Sequence, residues 1–178
     1  PESWYFSSVM DVNEKGLMNG TGDGTTFSPN GTTTRAIVAT VLYRMAGEPA
    51  VSGDVTFSDV PADTWYTQAV AWAQEKGVIQ GTSPTTFSPD SQVTREQLAT
   101  FFYRFADFEN PDPIEITGYL TGFTDADQVA SYATDAMKWA IGEGLISGTD
   151  AGLLAPQGSA TRAQGATILM RFVESLTK

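Results

Sequence analysis

Apolar residues recur at helical spacing in the second half of each of three similar segments of the chain. In the middle segment this stripe consists of Leu98, Phe101, Phe102 and Phe105. The spacing i, i+3, i+4, i+7 predicts a helix that starts at Thr94 and buries one face. A shorter pattern predicts a preceding helix from about Trp65 to Glu75, with Gly77 placed to end it in a left-handed cap. A loop rich in Gly, Thr, Ser and Pro joins the two helices.

The same helix–loop–helix pattern occurs three times, with polar residues at matching positions. Each copy has a Thr-Arg pair where the second helix begins, namely Thr34–Arg35, Thr94–Arg95 and Thr161–Arg162. We therefore predict an all-α fold with repeats at 1–47, 57–107 and 123–178, joined by linkers rich in Pro, Gly and acids.

The repeats differ at their upstream ends. Repeats 2 and 3 begin with Phe57–Asp59 and Phe123–Asp125, whereas the chain starts at Pro1 inside the equivalent stretch of repeat 1. We therefore expect the chain to be a piece of a longer protein, cut within its first unit.

The composition excludes several kinds of function. The chain has 178 residues and neither Cys nor His, which removes thiolate zinc sites, disulfides and the commonest general base. The net charge is −11, with 10 Lys and Arg against 21 Asp and Glu, so no basic face for nucleic acid is expected. No apolar run reaches the length that spans a bilayer, so no membrane insertion is expected.

Arginine is the most informative residue type, because all six arginines fall in two repeat positions. Arg35, Arg95 and Arg162 follow a predicted N-cap, where a cation meets the positive end of the helix dipole at a cost of roughly 0.3–1 kcal/mol. Either a salt bridge to Asp59 or Asp125 offsets this cost, or an anionic ligand does, held by the arginine and by free N–H groups of the helix start. The sequence leaves both alternatives open.

The second arginine position lies near the end of each second helix, at Arg44, Arg104 and Arg171. A cation is favourable there because it faces the negative end of the dipole. A capping or packing role is therefore favoured over ligand binding.

Aromatic and glycine residues also recur. Trp4, Trp65 and Tyr132 stand at the start of each first helix, where packing is favoured over stacking on a sugar. Each loop opens with a glycine, which serves either a turn of positive φ or the close approach of a ligand. These glycines are Gly20, Gly81 and Gly148. Gln97 and Gln164 complete predicted capping boxes with Thr94 and Thr161.

Neither a metal site nor an active site is predicted. Residues 19–24 loosely resemble a calcium loop, but Asn30 stands where a bidentate Glu is needed. Ser and Thr lack a His to activate them, and paired acids such as Asp125 and Asp127 do not stand out from the repeat pattern. We expect a protein that is not an enzyme and has no cofactor.

The elements of repeat 2 from Phe57 to Arg104 resemble the surface-layer homology (SLH) repeat, which typically occurs in three copies. The family's Thr-Arg-Ala-Glu motif corresponds to 34–37, 94–97 and 161–164, with Gln97 and Gln164 as mild departures and Ile37 as a sharp one. The resemblance implies a closed, pseudo-threefold arrangement around a central bundle of the three second helices. The repeat alone equally allows an open solenoid.

The resemblance also implies a function. SLH modules are extracellular anchors on the bacterial surface that bind secondary cell-wall polysaccharide carrying pyruvyl ketals on N-acetylmannosamine, in grooves between repeats. A monomer with internal symmetry is expected. The implied ligand contacts are an arginine for the carboxylate, glycine backbone groups and Asp59 or Asp125 for hydroxyls, and aromatic rims for the sugar ring.

Two features make the grooves unequal. Ile37 and the missing counterpart of Asp59 weaken the first groove, so we expect those of Arg95 and Arg162 to be the fuller sites. The rival hypothesis is a protein-interaction module in which the arginines only bridge repeats.

Overall fold

The computed structural model describes residues 3–110 and 112–176 and confirms the all-α prediction. Its helices are α1 Phe6–Glu14, α2 Arg35–Met45, α3 Thr67–Glu75, α4 Arg95–Glu109, α5 Thr134–Gly142 and α6 Arg162–Ser175. Two short 3₁₀ turns, Ala126–Gln128 and Ser131–Ala133, precede α5. The described residues form four isolated bridges between extended residues but no strand.

The second helices begin at the predicted N-caps. Thr94 and Thr161 each form a full capping box with the glutamine three residues later. Thr34 accepts from the Ile37 N–H, but Ile37 has no polar atom with which to return the bond. Gly77 has φ +68°, which confirms the left-handed cap that ends the first helix of repeat 2.

The repeats contact one another in a closed order. The first helix of each repeat packs on the second helix of the preceding one, so α3 lies on α2, α5 on α4, and α1 on α6. The contact between α1 and α6 joins repeat 3 to repeat 1, whereas the ends of an open solenoid do not meet. The exact pseudo-threefold symmetry stays a prediction.

Large aromatic side chains fill the space between neighbouring helices. The rings of Phe102 and Phe172 lie 5.0 Å apart, and Phe172 also meets Trp139 at 5.9 Å. Trp72 of α3 packs against Tyr43 of α2 at 5.8 Å. The apolar stripe predicted for α4 is buried along its whole length. Aromatic burial thus ties repeat 1 to repeat 2 and repeat 2 to repeat 3.

The second helices converge on a small apolar centre. Val38, Leu98 and Gly165, at matching positions of α2, α4 and α6, line a cavity of about 10 Å³ together with Thr33. No helix within residues 3–110 and 112–176 is long and apolar enough to cross a membrane.

Thr33 introduces a polar atom into this centre. Its hydroxyl is buried without a hydrogen-bond partner, while repeat 2 has Val93 at the matching position. Thr33→Val should raise the free energy of unfolding by about 1 kcal/mol, because it replaces an unpaired hydroxyl with a methyl group of similar size. Urea denaturation measures the change. Val93→Thr is the matched reverse substitution and should destabilise; a loss of stability in Thr33→Val would contradict the argument.

Candidate functional site

Each arginine at the start of a second helix reaches into the loop of the next repeat. Arg35 donates from Nε to the Phe87 carbonyl at 2.7 Å and from Nη2 to the Gln80 carbonyl at 2.6 Å. Arg95 bonds Leu154 and Ser147 of repeat 3 in the same way, at 2.8 and 2.9 Å. Arg162 bonds Phe27 and Asn19 of repeat 1 at 2.8 and 2.7 Å. We call this pair of hydrogen bonds the arginine clasp.

The backbone of the helix start is held by the same loop. In α2 the N–H of Arg35 donates to the Ser91 carbonyl and that of Ala36 to the Pro89 carbonyl, and equivalent bonds start α4 and α6. The third N–H is capped by the threonine side chain. The expectation that these N–H groups are free for a ligand is therefore wrong, because carbonyls of the neighbouring repeat already use them.

The expected salt bridges do not offset the dipole cost either. Among the described residues, ion pairs within 4.0 Å involve Arg44, Lys76 and Lys138, and none involves Arg35, Arg95 or Arg162. Burial lowers the pKa of Arg35 to about 10 and lowers the pKa of Arg95 and Arg162 as well. Backbone carbonyls bond these buried cations directly, while Asp59 and Asp125 act on Arg35 and Arg95 only from beyond 4.0 Å.

Asp59 and Asp125 shape the loops that the arginines clasp. The carboxylate of Asp59 accepts from the Phe87 and Ser88 N–H groups at 2.8 and 2.7 Å. Asp125 accepts from Leu154 and Ala155 at 2.8 Å each. Burial opposes ionisation of both, but the N–H donors and the nearby arginine outweigh it and hold the pKa of each below its usual range. Their predicted contacts with sugar hydroxyls stay predictions, since both oxygens already bond the loop.

One open cleft, the Arg162 cleft, has a volume of about 500 Å³. Its lining comes from all three repeats: residues 17–22 and the α2 side chains Ile37 and Arg44 from repeat 1, Trp65 from repeat 2 and Arg162 from repeat 3. No acidic side chain lines it. Ile37, expected to weaken the groove of its own repeat, therefore lies in the same cleft as Arg162.

A matching cleft of about 440 Å³, the Arg95 cleft, lies over repeat 3. Gln164, Ile168 and Arg171 of α6 form one wall, and Trp4 of repeat 1 stands at the side. Residues 145–150, including Gly148 and Asp150, complete the lining. Each cleft thus combines the loop and second helix of one repeat with the clasping arginine of the repeat before it and the aromatic residue of the repeat after it.

The three aromatic residues are exposed, so their expected packing role is wrong. Trp4 and Trp65 are 66 % and 65 % exposed, and each meets the following tyrosine edge to face. Tyr132 is 54 % exposed and donates to the Glu96 carboxylate at 3.2 Å. Exposed indoles beside clefts offer apolar faces to a ligand.

The loop glycines serve close packing. Gly20, Gly81 and Gly148 do not have positive φ, so the expectation of a left-handed turn is wrong. A Cβ on Gly81 would lie 2.5 Å from a ring carbon of Phe57, and one on Gly148 would lie 2.8 Å from Phe123. Any closer approach to a ligand stays a prediction.

The second arginine position has the packing role that the sequence favoured, and it also borders the clefts. Arg44 donates to the Leu17 carbonyl at 3.1 Å and Arg171 to the Leu145 carbonyl at 3.3 Å, just past the ends of α1 and α5. Both side chains also line the clefts, which their recurrence at a fixed distance from the clasping arginines could have indicated. No group of side chains suited to hold a metal ion occurs among the described residues, and Asp23 of the calcium-like loop bonds Thr25 instead.

Stability should fall in acid through the loop carboxylates. A pKa below its usual value in the folded state means that the stabilisation is present above the unfolded pKa near 3.8 and is lost as the pH falls through the folded value. Asp125→Asn should therefore lower the melting temperature at pH 7 and reduce its dependence on pH below 4. Thermal melts from pH 2 to pH 7 measure this effect, with the exposed neighbour Asp127→Asn as control. Equal curves for the two variants would refute the loop role of Asp125.

The comparisons with known proteins agree with this architecture. The S-layer homology domain family matches residues 1–36, 56–99 and 122–166. The chain is 33 % identical over 95 % of its length to the surface-layer 125 kDa protein of Lysinibacillus sphaericus, and 26 % identical over 85 % to the cellulosome-anchoring protein of Acetivibrio thermocellus. An endoglucanase of Bacillus sp. (strain KSM-635) is 32 % identical over 94 % of the chain.

The chain spans only a minor part of these relatives, 14 %, 34 % and 17 % of their respective lengths. The match in the endoglucanase is thus an additional domain beside the rest of that protein. The named surface-layer and anchoring relatives confirm the predicted location at the cell surface. The chain belongs to the S-layer homology domain family, whose modules anchor proteins to the cell surface.

Proposed function

We propose that this chain is a non-catalytic anchor that binds pyruvylated secondary cell-wall polysaccharide in the Arg162 and Arg95 clefts. The observation that carries the proposal is the lining of the two clefts. Each combines two arginines with one exposed tryptophan at a junction of three repeats. A pyruvyl ketal on a sugar presents the matching chemistry, a carboxylate beside an apolar ring face.

The arginines supply the anion-binding part. Within the described residues, the clasp of Arg162 uses Nε and Nη2, which leaves the Nη1 protons for another acceptor. Arg44 lies in the same cleft, and no carboxylate lines it, although the whole chain carries a net charge of −11. A carboxylate bound there gains charge-assisted hydrogen bonds in a partly dry site.

The tryptophans supply the sugar-binding part. Trp65 and Trp4 expose about two thirds of their surface beside the clefts, where an indole covers the apolar face of a pyranose without a cost in buried polar groups. The loops opposite, residues 17–22 and 145–150, offer backbone groups for hydroxyls. Two clefts on one chain bind one polymer with avidity.

The net negative charge of the chain means that long-range electrostatics do not favour binding of an anionic polymer. An acidic body repels an anionic polymer only within about 10 Å, the Debye length at moderate salt, because salt screens the repulsion at larger distances. Binding therefore rests on short contacts inside the clefts instead of long-range steering. It should weaken with salt less than the binding of a cationic protein does.

Removal of the pyruvyl groups tests the carboxylate contact. The chain should bind purified wall polysaccharide, and mild acid removal of pyruvate should lower the affinity at least tenfold, about 1.4 kcal/mol. Surface plasmon resonance on immobilised polysaccharide measures both states, with re-pyruvylated material as the control. Equal affinity for both states would rule out the carboxylate contact, and no binding to either would favour a protein partner.

Substitution of the second arginines tests the clefts without opening the clasps. Arg44→Gln with Arg171→Gln should lower polysaccharide affinity roughly a hundredfold, because each removes one charged donor worth about 1.5–3 kcal/mol. Lys76→Gln removes an exposed charge that lies outside both clefts and serves as the matched control. Thermal melts verify the fold. Unchanged affinity in the folded double variant would overturn the cleft assignment.

A further inference from the structure

The position around Arg35 matches the two clefts in its parts but has a larger side chain beside the arginine. The α4 residue that corresponds to Val41 and Ile168 of the clefts is Phe101, whose side chain is buried. The Arg35 guanidinium carbon lies 5.3 Å from the centre of the Phe101 ring and 4.7 Å from that of Phe87. Arg162, by comparison, lies over the single ring of Phe27, at 4.6 Å. The Phe101 ring is larger than Val41 or Ile168 and therefore takes up more of the space beside the arginine.

The buried side chain of Glu96 also distinguishes this position from the two clefts. Glu96 is 2 % exposed and stands where repeats 1 and 3 have Ala36 and Ala163. Its carboxylate accepts from the Ala130 N–H at 3.0 Å, the Tyr132 hydroxyl at 3.2 Å and the Gln157 amide at 2.7 Å. These three bonds hold the Glu96 carboxylate against repeat 3, next to Tyr132.

Tyr132 links this carboxylate to the arginines. It corresponds to Trp4 and Trp65, but its hydroxyl is held by Glu96, and Arg104 and Arg35 are close enough to act on it electrostatically. The cations of this position therefore lie near a phenol whose hydroxyl is bonded to a buried carboxylate. Tyr132 is thus held in place here, whereas Trp4 and Trp65 have no hydroxyl through which to be held.

We infer that Phe101 and the Glu96–Tyr132 pair close the Arg35 position, so that the chain binds pyruvylated glycan at two sites instead of three. The inference rests on the proposed function. Phe101 acts by its volume, and Glu96 acts by holding Tyr132 beside the cations. Repeat 3 has Ile168 and Ala163 at these two positions, so Phe101→Ile and Glu96→Ala should remove the obstruction. The Arg35 position then serves only to join repeats.

Calorimetric counting of sites tests the inference. A short oligosaccharide with a single pyruvyl ketal should bind the native chain with a stoichiometry of two. Phe101→Ile combined with Glu96→Ala should raise the stoichiometry to three, while Arg171→Gln should leave one tight site. Circular dichroism and a cooperative melt verify that each variant is folded.

A second measurement does not depend on the folding of the opened variant. If the Arg35 position is closed, Arg44→Gln and Arg171→Gln together should lower the oligosaccharide affinity at least a hundredfold at every site. One remaining site of native affinity would overturn the inference, as would three sites in the native chain or two in the folded opened variant. Absence of any binding to the native chain would instead overturn the proposed function, and the inference with it.

Discussion

The arginine clasp is the interaction on which the rest of the structure depends. A guanidinium at the first position of a helix costs roughly 0.3–1 kcal/mol against the dipole. Each hydrogen bond from a charged donor returns about 1.5–3 kcal/mol, and every clasp makes two to carbonyls of the next repeat. The clasped loops include Ser28, Ser88 and Ala155 with φ of 54°, 58° and 48°, a conformation that costs non-glycine residues about 1–3 kcal/mol. The clasp offsets that cost as well.

The closed order of repeats follows from the clasps. Each loop is bonded by the arginine of the repeat before it, and each arginine is buried against the carbonyls of that loop. The circle of three repeats closes where Arg162 of repeat 3 bonds the carbonyls of Phe27 and Asn19 of repeat 1. Both open clefts lie at these junctions, so a ligand in either one touches side chains from three repeats. By linkage, such a ligand stabilises the closed arrangement along with its own site.

The sequence predicts the repeats, the helix caps and the importance of the arginine that follows each cap. These features depend on which residue types stand close together in the chain. Thr94, Gln97 and Gly77 fix local geometry that needs no tertiary context. The partners of the arginines could not be predicted, because backbone carbonyls leave no mark in the pattern of side chains. The exposure of Trp65 was mispredicted because a residue at the start of a helix, beside a loop, can face either the core or the rim of a cleft.

The clasp and the proposed ligand require different things of an arginine, and the Arg35 position shows the requirements of the clasp alone. A clasp needs a planar fork that reaches two carbonyls at once, which the single ammonium of lysine does not provide. That need is the same in all three repeats. It accounts for arginine at position 35 even where, as we infer, Phe101 and Glu96 close the space beside it. Repetition of Arg35, Arg95 and Arg162 is therefore evidence for the fold. Evidence for binding lies in what the repeats do not share: Val41 and Ile168 where Phe101 stands, and alanine where Glu96 stands.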